Sequence, residues 1–115
     1  MPASGSLLAQ TRPSGTTAAT AYTATARTEI TRIVVANVSG SSATCRLFHH
    51  DTGTTYDQTT ALLYDATIAG GESLVWGDNP DGAGIIVAPG GTIGVRTGTA
   101  SAFTFTLYGI TQGQV

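Results

Sequence analysis

Three stretches of the chain hold side chains able to do chemistry. The first is His49-His50, preceded on the same run by Cys45. Imidazole and thiolate both ligate metals. On an extended strand Cys45 and His49 share a face, whereas the adjacent His49 and His50 point to opposite faces. Two ligands do not make a zinc site, which takes three or four. The expectation is a strand running out to the margin of a sheet, with no metal. The second is Asp51-Thr52-Gly53-Thr54-Thr55-Tyr56-Asp57, two carboxylates around a glycine with hydroxyls between them. Hard oxygen donors of this kind suit Ca²⁺. The spacing is not that of an EF-hand and the distal Glu of that motif is missing. A solvated loop using Asp for turn formation is expected, and the residues leave open whether Asp51–Asp57 takes a cation. The third is Trp76 beside Gly77-Asp78-Asn79-Pro80-Asp81-Gly82. An aromatic ring next to an acidic-amide loop can stack on a sugar; the same ring can lid a core or meet a subunit.

No nucleophile signature is present: no Gly-x-Ser-x-Gly, no Cys-His context and no metal-protease helix. The glycine pairs do not open a helix and so do not cradle phosphate. The remaining carboxylates are scattered over loops. No catalytic residue, metal ligand or cofactor site is assigned, and an enzyme is not expected. A hydrolase ranks behind every other reading because it would need clustered acids.

The elements that would carry these stretches are strands. Glu29–Val38 holds Ile30, Ile33, Val34, Val35 and Val38, and β-branched side chains fit a pleated surface better than a helix. Ser39-Gly40-Ser41-Ser42 breaks the run and Ala43–His50 resumes it, with Cys45, Leu47 and His49 on one face and Thr44, Arg46, Phe48 and His50 on the other. Around this hairpin come Ala21–Thr25, Ala61–Ile68 (a strand or one helical turn, interrupted by Asp65), Glu72–Trp76, Ile85–Val87, Thr92–Thr97 and Ala102–Ile110. Ala69-Gly70-Gly71 and Pro89-Gly90-Gly91 are the turns between them. About eight short strands with a turn signal every ten residues or so predict an all-β antiparallel sandwich, jelly-roll-like. The expected core is Ile33, Val35, Leu47, Leu74, Ile93, Val95, Phe103, Phe105 and Leu107.

Residues 1–15 read as a separate N-terminal arm or edge strand, and 16–115 as the single sandwich domain. Leu7 and Leu8 stand in a polar lead that Pro13-Ser14-Gly15 cuts from the rest. On a strand they face opposite ways, so one docks at home and the other is left for a neighbour. Leu7, Leu8, Arg12 and Trp76 are therefore the residues expected to meet a partner.

Bulk composition narrows the function class. The 115 residues suit one domain. A net charge of −2 gives no basic footprint for nucleic acid or anionic lipid. No run approaches the ~20 apolar residues of a membrane span, and the first residues lack the pattern of a signal peptide. A single cysteine allows no intrachain disulfide. Only 10% of residues are charged, against about 25% in an ordinary soluble domain. All five cations are Arg, so Lys is absent. Lys on an edge strand is a common guard against stray pairing. Its absence suits edges that are closed or covered by neighbours.

The segments Glu29-Ile-Thr-Arg-Ile-Val-Val-Ala-Asn-Val-Ser-Gly, Cys45-Arg-Leu-Phe, Asp51-Thr-Gly-Thr-Thr-Tyr-Asp, Thr60-Ala-Leu-Leu-Tyr-Asp, Ile68-Ala-Gly-Gly-Glu, Pro89-Gly-Gly-Thr-Ile-Gly-Val-Arg-Thr-Gly and Phe103-Thr-Phe-Thr-Leu-Tyr-Gly follow in an order that resembles small virion proteins of tailed bacteriophages. The resemblance covers nearly all the chain after Ser6, rests on pattern and segment order, and supplies no functional residues. It implies a β-sandwich capsid cement or decoration protein, a homo-oligomer (a trimer by analogy) bound to the phage major capsid protein. Such a protein is assembled in the bacterial cytoplasm, resides in the virion and has no nucleic-acid or membrane partner. A neck or tail component, or a carbohydrate-binding tail module using Trp76, is the alternative.

Overall fold

The computed structural model describes residues 6–77 and 84–111. Among them the chain forms nine antiparallel strands in two sheets and no helix. The strands are β1 (Ser6–Thr11), β2 (Ala19–Thr23), β3 (Thr28–Asn37), β4 (Ala43–His50), β5 (Ala61–Ile68), β6 (Ser73–Gly77), β7 (Ile85–Val87), β8 (Thr92–Thr97) and β9 (Phe103–Thr111). The first sheet runs β1-β9-β3-β6, with β7 also on β3; the second runs β2-β8-β4-β5.

The topology is one long hairpin laid over the whole chain. Its tip is the loop between β4 and β5. Outward from the tip, β4 pairs β5, β3 pairs β6, β2 pairs β8 and β1 pairs β9. Wrapping that ladder on itself brings β3 beside β9 and β4 beside β8. β6 and β7 act as one interrupted partner of β3. Gly77 faces Arg32 and Ile85 faces Ile30, so the two strands meet β3 on either side of Thr31. Gly77 ends β6. Its φ of 89° is a left-handed backbone that glycine adopts freely, and a Cβ there would strike the Thr31 carbonyl.

The core lies between the sheets and follows the two-residue period of the strands. Eight of the nine expected core residues are buried, and Leu74 is half-buried because β6 is an edge. Ile30, Val87 and Cys45 join them. Phe48 is also buried, although it lies on the opposite face of β4 from Leu47. The β4–β5 loop folds back over that outer face and covers it. Tyr56 stacks 5.6 Å from Phe48 and lies so close to Gly94 that a Cβ there would sit 2.5 Å from its ring. Its hydroxyl meets Thr20 Oγ1 at 2.6 Å.

One expectation is corrected by these elements and two open ones are narrowed. The second strand is Ala19–Thr23 and not Ala21–Thr25, because the chain turns through Ala24, whose carbonyl and amide bond to Gly90 and Gly91. Ala61–Ile68 is a strand throughout; Asp65 stays in it at a φ of 55°, a left-handed conformation that Asp tolerates better than most residues. Of the arm and the edge strand left open for the N-terminal residues, Ser6–Thr11 takes the edge strand. It is the outer strand of the first sheet, hydrogen-bonded to β9 of its own chain.

Candidate functional site

The histidines of β4 and the carboxylates of its following loop are each engaged in hydrogen bonds within the loop or to the end of β7. His49 Nε2 lies 2.8 Å from Asp51 Oδ1. The same oxygen accepts the Ala88 amide at 3.0 Å, which pins the loop to the end of β7. These donors hold the Asp51 carboxyl below its ordinary range, the Ala88 amide first and His49 after it. His50 Nδ1 accepts the Thr55 amide at 3.0 Å, so its Nε2–H faces Thr52 Oγ1 at 3.2 Å. Asp57 Oδ1 accepts the Thr59 amide at 2.9 Å. Both carboxylates of the loop thus serve as turn acceptors. Among the described residues no group of three or more His, Cys, Asp or Glu side chains gathers to hold a metal.

Cys45 does not join the histidines. It points into the core, and burial pushes its thiol up to about 11, with the Asp65 charge adding to the shift. A thiol held protonated is a poor nucleophile and a poor ligand.

The densest charge cluster was not singled out from the sequence. Arg46 and Arg96 sit directly opposite each other on β4 and β8, an unfavourable pairing of like charges. β5 relieves it. An extra residue in β5 between the Cys45↔Ala66 and Leu47↔Leu63 pairs makes a bulge, and a bulge re-aims side chains. The Asp65 carboxylate there accepts Arg46 Nε at 2.7 Å and Nη2 at 3.1 Å, a two-pronged bond, and lies 3.8 Å from Arg96 Nη1. The Arg46 guanidinium also stacks 3.8 Å over the Tyr64 ring. The bond from Arg46 draws the Asp65 carboxyl down, and the carboxylate draws Arg46 up. The signal in the sequence was Asp65 breaking an apolar run, which gave no hint of its partner.

The four residues expected to meet a partner fall at separate places. Leu7 is 55% exposed on β1, whereas Leu8, the extra residue of the bulge there, packs against the core. Arg12 Nε donates to the Ser101 carbonyl at 2.8 Å and helps close the sandwich where the chain crosses between sheets. Trp76 is half-buried on β6 against the core. Of the acidic-amide segment considered for sugar binding beside it, Gly77 ends β6 and the rest, 78–82, lies outside the described residues.

No family model matches the chain, and no curated protein or solved structure matches it either.

Proposed function

We propose that the protein is a non-enzymatic virion structural protein of a tailed bacteriophage, a capsid cement or decoration protein that works by surface contact with the shell and with its own copies. The observation that carries this reading is the location of the exposed large apolar side chains. Among the described residues five of the six lie on strands at sheet edges, Leu7 on β1, Leu62 and Tyr64 on β5, Val75 on β6 and Ile86 on β7; the sixth, Val38, stands in the turn after β3. Apolar groups of this kind on the rim of a domain suit contacts between subunits. The His49–Asp51 pair and the Arg46–Asp65–Arg96 cluster are instead engaged in contacts within the domain. The strand order supports the same reading. We read β1-β9-β3-β6 facing β2-β8-β4-β5 as a jelly roll with β7 added, an architecture that viral capsid domains share with lectins and cupins. The order therefore fits a shell protein without deciding for one, and the resemblance of segments tips the balance.

The mechanism is additive clamping. Each copy buries a modest apolar area, and the symmetry of the shell multiplies it. Purified protein mixed with shells that lack it should co-sediment to a fixed saturating stoichiometry and raise the temperature at which the shells rupture. Protein that stays in the supernatant at every concentration contradicts the proposal.

A further inference from the structure

A sheet edge with unpaired amides and carbonyls invites a foreign strand, and proteins blunt such edges with Lys, Pro or bulges. This chain has no Lys, and its bulges take over that duty. β1 carries an extra residue between the Leu7↔Tyr108 and Ala9↔Leu107 pairs. β2 carries one between Thr20↔Gly94 and Tyr22↔Ile93. β5 carries two, one of them at Asp65. Each of these strands is the outer strand of its sheet. β6 is an outer strand too, and it is the exception. Its five pairs with β3, from Arg32↔Gly77 to Ala36↔Ser73, run without a shift. It holds no charge and no Pro, and Val75 at its centre is 49% exposed. The neighbouring β7 has only three residues, too short to template a strand.

We propose that the β6 edge is a self-association site, where β6 of a second copy adds antiparallel about a twofold axis at Val75. Three features favour a second copy as the occupant. Ser-Leu-Val-Trp-Gly is self-complementary in that register: Val75 meets Val75, and Leu74 of each copy meets Trp76 of the other. Leu74 and Trp76 are both half-buried, so the pairing completes the burial of two side chains per copy. No charge on β6 repels its own image, and Val34, beside Val75 on the outer face, extends the uncharged strip. The two first sheets then join into one continuous sheet. Five residues a side is a small contact beside the ~1,600 Å² of a standard interface. The dimer is therefore weak in free solution and gains strength by repetition on a particle. This inference deepens the assembly reading by naming one contact surface, and its test needs no shell.

A cysteine at the twofold reports the register directly. Residues directly opposed in an antiparallel pair have Cα atoms about 4.5–5.5 Å apart, within reach of a disulfide. Cys45 is buried and does not compete. Val75→Cys, oxidised by air with copper-phenanthroline, should convert to a disulfide dimer. Leu62→Cys, of similar exposure on the bulged β5 edge, should stay largely monomeric under the same oxidation. In sedimentation equilibrium the unmodified protein should show a reversible dimer, weakened at least about tenfold by Val75→Lys, a charge placed as natural edges place it. Equal cross-linking of the two cysteine variants overturns the proposal, as does an assembly that Val75→Lys leaves unchanged, whether a dimer or a threefold one. If the lysine variant fails to fold, the cysteine pair decides alone. Failure of the cross-link removes the β6 contact and leaves shell binding to be judged by co-sedimentation.

Discussion

At the scale of single residues, two carboxylates hold loops and strands in place. Asp51 ties the β4–β5 loop to Ala88, and Asp65 neutralises two arginines that the β4–β8 register sets side by side. Both carboxyls are held below the ordinary carboxylate range by these partners. The folded state therefore takes up their protons less readily than the unfolded chain. Their stabilising contribution is complete above the unfolded value of about 3.9 and is lost as pH falls through the lower folded values. The urea midpoint should be insensitive to these groups above about pH 5 and should decline as the pH drops below about 4. Asp65→Asn should make that acid decline shallower. A midpoint constant through the acid range, or a decline that Asp65→Asn leaves unaltered, contradicts this assignment. Asp65 is largely exposed, so the effect per group is modest.

At the scale of elements, the turns are fastened by buried polar groups that no hydrophobic pattern announces. Asn37, at the end of β3, is 2% exposed. Its amide donates to the Ile68 carbonyl at 2.8 Å and the Ser41 carbonyl at 2.9 Å, while its oxygen accepts from the Ser39 amide at 2.9 Å. One side chain thus joins the β3–β4 turn to the end of β5. Asn37→Ala leaves buried partners without a bond and should lower stability by about 1–3 kcal/mol in urea unfolding. A loss within the scatter of ordinary surface changes, about 0.5 kcal/mol, shows that the turn holds without it. The strands themselves were legible because alternation and β-branched runs mark them, as in Ile33-Val34-Val35 and Phe103-Thr104-Phe105. What escaped was whatever depends on distant pairing. Phe48 reads as solvent-facing until Tyr56 is folded over it. Which of Leu7 and Leu8 docks at home is decided only by the β1 bulge, which turns Leu8 onto the core. Asp65 reads as an interruption until β8 brings Arg96 near. The site candidates fared in the same way: the residue types were visible, and their mutual bonds were not.

At the scale of the whole molecule, one long hairpin wrapped into two sheets leaves four long outer strands, and bulges on three of them replace the lysines that the composition lacks. Thr, Ser, Gly and Ala supply a surface that packs without large desolvation of charge, and most of the exposed large apolar side chains among the described residues stand along its rims. The proposed role follows from that distribution, and it makes a demand on stoichiometry that no other role shares. The deciding measurement is the number of copies of this chain per purified phage particle, by quantitative mass spectrometry against the major capsid protein. A shell cement is present in hundreds of copies, in a simple ratio to the capsid protein. A dozen copies or fewer would move the protein to the neck or tail, and its absence from purified particles would contradict the structural role altogether.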